Sequence, residues 1–346
     1  MNGRPIAYVM EQTLGSVTHY LNLRREETAA QSAPVRWLPI EFHPTHMPWA
    51  VAGSLRALRA IASVMNEVDG IFVHTTTIAL LAAEHFRHKP TVLSSDGTPL
   101  SKRDMRAAYG LKPDGRFGGR FKRVLYRRVF RRAAGFVAWS SWTKASLVED
   151  YGCREEDIAV IPPGINLDEF APGDRLHELP RILFVGNDFP RKGGDRLLDV
   201  FRQRLRSRAE LVLVTRAEVP AEPGVEVHRN VPANSEKLRQ LYATCDVFAL
   251  PTRADCYSLA CMEALAAGLP LVATRVGGIP DMIREGETGY LVERDDAAAL
   301  GDALESLVSD PAMRRAMGLV CREEAFRRFD VRSNARRLFE FVRSRC

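Results

Sequence analysis

No stretch of the chain runs to eighteen uninterrupted apolar residues, so no transmembrane helix is expected. The opening residues, Met1 to Met10, carry too few apolar side chains for a signal peptide. Cysteine is scarce. The six, at 153, 245, 256, 261, 321 and 346, never fall at metal-ligand spacing and read as reduced thiols of a cytosolic protein. The pairs His43-x-x-His46 and His85-x-x-His88 have no Cys or acidic partners at ligand spacing, so packing or solvent-facing roles are expected and no metal. A Gly-x-Gly-x-x-Gly fingerprint is absent, which disfavours a dinucleotide oxidoreductase, and no Walker A loop ending in Gly-Lys-Ser/Thr occurs. Internal repeats and low-complexity tracts are lacking as well.

What is present is an alternation. The length of 346 residues suits two domains of ordinary size. Apolar strands at Ile6–Met10, Val35–Leu38, Ile71–Val73, Thr91–Leu93 and Gly135–Ala138 alternate with helical patterns at Leu55–Val68, Ile78–Phe86 and the basic stretch 116–132. Ser140 caps a further helix that Gly152 ends. Strands separated by helices imply an α/β protein with a doubly wound parallel sheet, whose ligands gather at the C-terminal ends of the strands. Gly15, His74, Thr75, Asp96, Gly97 and Thr98 stand at such ends. Asp96 is open to two readings, an Asp-Gly turn or a polar group at a reaction centre. Around Ile161-Pro-Pro-Gly-Ile-Asn-Leu-Asp168 the chain stiffens, and a domain boundary is placed near Pro172.

The alternation then restarts. After the strand Arg181–Val185 comes Gly186-Asn187-Asp-Phe-Pro-Arg191-Lys192-Gly193-Gly194, a glycine-rich cationic turn before a helix. Backbone amides and two cations converging there suit a diphosphate. Further strands follow at Leu211–Val214, Val225–Val227 and Leu271–Thr274, and a helix at Ser235–Thr244. The centre of the chain's chemistry is the stretch from the strand Val247–Leu250 to Pro270. A short loop carries Asp255, a helix begins near Tyr257, and Glu263 lies one to two turns in, with seven residues between the two acids. Free amides at that helix N-terminus favour a phosphate, and Glu263 could take a ribose diol. A strand-loop-helix with unrelated acids would read the same way.

This stretch resembles the acidic-x7-acidic motif of the family-4 retaining glycosyltransferases of the GT-B fold, the glycosyl transferases group 1. Asp255 stands where that family normally has Glu. Other segments are similar to the family's in order: Ile161–Phe170, the phosphate loop at Gly186–Lys192 with Asn187 in place of the common Arg, Val276-Gly-Gly-Ile-Pro-Asp281, and Gly286–Val292. The resemblance implies two Rossmann-like domains facing across a cleft: residues 1–171 on the acceptor side, residues 172–329 on the nucleotide-sugar side, and the final helix, 330–346, packed back on the first. It implies transfer of a sugar from a nucleotide diphosphate sugar to a glycan, lipid or small-molecule acceptor, with retention. No Asp-x-Asp of a metal-held donor site is present, so neither metal nor cofactor is expected beyond the co-substrate.

In this reading Asp255, Lys192, Arg191 and Asp96 are catalytic. Gly15, Gly186, Asn187, Arg191, Lys192, Asn230, Val231, Asp255, Tyr257, Ser258, Leu259 and Glu263 bind the donor, and Arg191 supplies the charge missing at Asn187. Gly15 follows Leu14 where the family commonly has two glycines, and His19 matches a family histidine on the next helix. Two other functions share the same features: a non-catalytic module binding nucleotide sugars or anionic polymers, and a sugar-nucleotide epimerase.

The net charge of +6 is unevenly spread. Twelve Lys and Arg crowd the interval from Lys102 to Arg132 against Asp104 and Asp114, and Phe117, Phe121, Val124, Leu125 and Val129 recur at helical spacing there. The expected packing puts those apolar residues on the sheet and the arginines outward. Helix 116–132 is then either a solvated face or a docking surface for an anionic membrane or acidic acceptor, placing the protein in the cytoplasm or at the inner membrane face. No nucleic-acid motif accompanies the charge, and no nucleic-acid partner is expected.

Overall fold

The computed structural model describes residues 4–13, 15–30, 34–41, 43, 46–112, 115–175 and 177–346. Leu14, which precedes the first glycine turn, and Asp114 lie outside them, as does the side chain of Phe117. The chain divides into two compact units. One comprises Met1–Arg103, Lys112–Gly164 and Val331–Cys346, and the other Asp104–Leu111 and Ile165–Asp330. The division therefore falls at Gly164 rather than near Pro172, and the short stretch 104–111 leaves its sequence neighbours for the second unit.

In the first unit β1 (Ile6–Gln12), α1 (Gly15–Ala30), β2 (Val35–Glu41), α2 (Trp49–Val64), β3 (Gly70–His74), β4 (Thr91–Ser95), α3 (Arg116–Phe130), β5 (Gly135–Ala138), α4 (Ser141–Glu149) and β6 (Ile158–Val160) alternate. The strands form a parallel sheet in the order β2-β1-β3-β4-β5-β6. Every residue of β3, β4 and β5 is buried, as expected of strands covered by helices on both faces. One face packs Val9, Ile71, Val73 and Leu93 under α2 and α3. The other packs Tyr8, Met10, Phe72 and Val137 against Ala335, Leu338, Phe339 and Val342. Those four belong to α10 (Val331–Arg345), the last helix of the chain. Ser140 Oγ caps α4 by accepting from the Thr143 amide.

Two expectations fail here. Ile78–Phe86 is not an α-helix. It runs as turns into a 3-10 helix at Ala82–Arg87, with Ile78, Ala79, Ala82, Ala83 and Phe86 all buried. The basic helix packs on a face rotated from the one expected: Val129 is buried and Leu125 half-buried as expected, but Tyr126 and Phe130 complete the buried side, whereas Phe121 and Val124 are 69% and 62% exposed.

The second unit holds β7 (Arg181–Val185), α5 (Gly194–Val200), β8 (Glu210–Val214), β9 (Val225–His228), α6 (Glu236–Thr244), β10 (Val247–Leu250), α7 (Leu259–Ala266), β11 (Leu271–Thr274), β12 (Gly289–Val292), α8 (Ala297–Ser309) and α9 (Pro311–Phe329). Its strands are again parallel, ordered β12-β11-β10-β7-β8-β9. From β7 the chain winds one way through β8 and β9, then returns to place β10 on the other side of β7. The winding reverses between β7 and β10, and the turns leaving those two strands must open on either side of the crevice so formed.

Candidate active site

The turn after β7 and the loop after β10 are stitched together. Gly193 takes φ +77°, and a β-carbon there would lie 1.9 Å from the Pro251 carbonyl oxygen, so only glycine permits this approach. The Arg253 amide and the Thr252 hydroxyl both donate to the Arg191 carbonyl, at 2.8 and 3.1 Å. Arg191 Nη1 donates in return to the Ala254 carbonyl at 2.8 Å, and its Nε to Asp188 Oδ2 at 2.8 Å. Arg253 Nη1 reaches the Pro190 carbonyl and Asp195 Oδ1, while its Nε reaches Asp295 Oδ1 at 3.0 Å. From the other side Gly277, at φ +58°, fits against the Asp255 carbonyl, where a β-carbon would lie 2.1 Å away.

These constraints bring Lys192 onto Asp255. Nζ lies 2.5 Å from Oδ2, with the side chains only 18% and 11% exposed. An ion pair so far withdrawn from water depends on the partner being present, because either charge left alone would carry an uncompensated desolvation cost. Gly186 brings the turn in closely, since a β-carbon there would meet Lys192 Cβ at 2.9 Å. Asn187 is exposed on the turn.

Beyond Asp255 the chain enters α7. The Ser258 hydroxyl caps it, accepting from the Cys261 amide at 3.4 Å, and Leu259 is its first residue. Tyr257 is buried, and burial raises its phenol well above the usual range. Glu263 is 7% exposed, and burial pushes its carboxyl up to about 7 against the smaller opposing pull of the Tyr242 hydroxyl. Asn230, in the left-handed region at φ +59°, and Val231 follow β9. They share the C-terminal end of the sheet but stand two strands from β7, roughly 10 Å by strand spacing.

Gly15 and Asp96 belong to the first unit. Gly15 opens α1 at the end of β1, and Asp96 follows β4, with Oδ1 2.8 Å from Lys102 Nζ and its carbonyl accepting from the Thr143 hydroxyl. His19 and His74 lie buried nearby, His74 with a ring nitrogen 3.3 Å from Ser16 Oγ. Burial, helped by Lys102, lowers His74 to about 3, and burial holds His19 well below the usual value. Both imidazoles are therefore neutral at pH 7. Arg253 and Tyr242 carry much of the geometry around Asp255 and Glu263 and were not singled out from sequence, because nothing local to either marks it. Among the described residues no three His, Cys, Asp or Glu side chains come together as a metal cage.

Residues 17–169 match the family model described as Glycosyltransferase Family 4, and residues 179–310 match Glycosyl transferases group 1. The chain belongs to this family of glycosyltransferases. It is 33% identical over 220 residues to the D-inositol 3-phosphate glycosyltransferase of Nocardia farcinica, covering 56% of this chain and 49% of that protein. It is 30% identical over 253 residues to the GDP-mannose-dependent alpha-(1-6)-phosphatidylinositol monomannoside mannosyltransferase of Mycolicibacterium smegmatis, covering 64% and 65%. The chain spans about half the length of the first of these relatives. Among solved structures, sucrose-phosphate synthase from Thermosynechococcus elongatus superposes with a TM-score of 0.79 at 18% identity, covering 99% of this chain and 98% of that one. The Anabaena HepE protein in complex with UDP-glucose superposes at 0.74 and 16% identity, covering 99% and 100%. The fold is that of the GT-B glycosyltransferases.

Proposed function

We propose that the protein transfers a glycosyl group from a nucleoside diphosphate sugar to an acceptor hydroxyl, with retention and without a divalent metal. The observation that carries this is the buried Lys192–Asp255 pair at the reversal point of the second sheet. A diphosphate arriving beside Lys192 competes with Asp255 for the cation. The phosphate takes the ammonium, and the carboxylate is released towards the sugar it holds. As the glycosidic bond breaks, negative charge grows on the departing diphosphate. Lys192, Arg191 and the free amides at the start of α7 stabilise it in place, so no metal is required for charge neutralisation. Glu263 accepts the ribose hydroxyls. Retention rests on the resemblance of the Asp255–Glu263 motif, and the anomer of the product, read by NMR, checks it.

The relatives named for inositol phosphate and phosphatidylinositol mannoside support an acceptor that is a phosphorylated or lipid-linked polyol. The exposed Phe121 and Val124 among the arginines of α3 favour the lipid-linked form, presented at an anionic membrane surface. A melting series with UDP, GDP, ADP and dTDP tests the donor side. One nucleotide should raise the melting temperature, and Lys192→Ala should abolish that rise. No response to any of the four would sink the proposal. Binding without transfer or hydrolysis, when sugar nucleotides and polyol acceptors are supplied, would leave a binding module instead.

A further inference from the structure

The stretch Asp104–Leu111 is joined in sequence to the first unit yet packs within the second. Its anchors are buried Met105 and the Asp104 carbonyl, which accepts from Arg294 Nη1 at 3.3 Å. A 3-10 turn, Ala107–Tyr109, closes on Gly110 at φ +68° and presents the Tyr109 ring. The Arg191 guanidinium carbon lies 4.8 Å from the centre of that ring. Arg191 is thereby fixed from three directions: Nε by Asp188, Nη1 by the Ala254 carbonyl, and the face by Tyr109. Its side chain is only 12% exposed, and Nη2 makes no hydrogen bond to a described residue. A guanidinium held on two edges and a face, with one edge left over, is preorganised for an anionic oxygen.

We infer that Tyr109 is a positioning residue for nucleoside diphosphate binding, acting through Arg191. This rests on the reading of Arg191 as a diphosphate ligand. Tyr109 works through the electrostatics of its ring, so Phe should replace it and Ala should not. Without the ring, the guanidinium keeps its two in-plane bonds but can tilt, and part of the affinity gained by holding it ready is lost.

The test is calorimetric titration of the full chain with UDP and with GDP, using whichever binds wild type more tightly. Arg191→Ala should weaken binding on the order of thirty-fold, the loss of charge-assisted hydrogen bonds. Tyr109→Ala should weaken it about five-fold, the scale of a partly exposed cation–π contact, with Tyr109→Phe close to wild type. In an Arg191→Ala background, Tyr109→Ala should cost nothing further, since the two act as one unit. A drop for Tyr109→Ala that persists in that background, or a drop for Tyr109→Phe as large as for Tyr109→Ala, overturns the inference. So does an unchanged Tyr109→Ala when Arg191→Ala is weakened. If Arg191→Ala itself binds as wild type, or if wild type binds neither nucleotide, it is the underlying reading of the site that fails.

Discussion

Glu263 sets a pH dependence of its own. Its carboxyl is raised to about 7 in the folded chain from an ordinary value of 4.5, with burial as the main cause. Below pH 4.5 the group is protonated whether the chain is folded or not, and it contributes nothing. As pH rises from 4.5 to 7 the unfolded chain loses the proton while the folded chain keeps it, so stability falls across that window and levels off above it. The full loss is about 3 kcal/mol. Urea denaturation at pH 4 and pH 8 should show wild type losing more stability than Glu263→Gln by about that amount, since every other carboxylate titrates alike in the two proteins; equal changes in the two proteins would refute the assignment. The buried ion pair behaves differently. Lys192→Ala leaves Asp255 alone at 11% exposure and should cost about 3 kcal/mol in stability. Adding Asp255→Asn should return much of that stability without restoring donor turnover. Recovery of both together would make the pair structural only. Asp255, Lys192 and Glu263 were legible in sequence because strand, turn and acid spacing are local signals. The 2.5 Å contact was not, because it depends on how two turns far apart in the chain are held.

At the scale of elements, most strands could be read because β-carbons alternating along a covered strand leave a dense apolar run. Ile78–Phe86 misled for a physical reason. Its apolar spacing is that of a helix, but the segment is short, Pro90 stops it, and α2 meets it closely, with a β-carbon at Gly53 falling 3.1 Å from Ile78. So short a helix has little stability of its own, and burial decided the geometry. The basic helix shows the opposite error. Tyr126, Val129 and Phe130 satisfy the sheet, and Phe121 and Val124 are left outside, which periodicity alone could not distinguish. Its charge is partly committed, because Arg128 and Arg132 both pair with Glu84. With two large apolar side chains standing clear on a cationic helix, the double change Phe121→Glu and Val124→Glu should cut sedimentation with phosphatidylglycerol vesicles at least ten-fold and leave the melting temperature within a degree or two. Vesicle binding as strong as wild type would remove the membrane from the proposal. In the turn after β7, Gly193→Ala places a methyl group into the Pro251 carbonyl, so on the proposed reading nucleotide binding should be lost even where the fold survives.

At the scale of the whole molecule, alternation of strands and helices was enough to give the class of sheet but not the order of its strands. Order comes from which way each crossover turns, and that is settled by packing across the sheet. The same limit applies to the last helix. Nothing in the residues 331–346 taken alone points to one sheet over another, yet α10 supplies Ala335, Leu338, Phe339 and Val342 to the core around Tyr8, Phe72 and Val137. Val331 sits so close to Gly164 that a β-carbon there would fall 2.2 Å from its α-carbon. The first unit is therefore completed by the end of the chain. Phe339, whose ring lies 5.6 Å from that of Tyr8, should cost about 3 to 5 kcal/mol when changed to Ala. Removing Val331–Cys346 outright uncovers the part of that sheet face which Tyr20 and Leu23 of α1 do not cover, a loss comparable to the 5–15 kcal/mol that holds an ordinary domain together. Limited proteolysis of the truncated chain should then digest residues of the first unit rapidly while a fragment beginning near Ile165 persists, because that unit's core contains nothing from α10. Protection of the first unit equal to that in the full chain would show that its sheet holds without the helix.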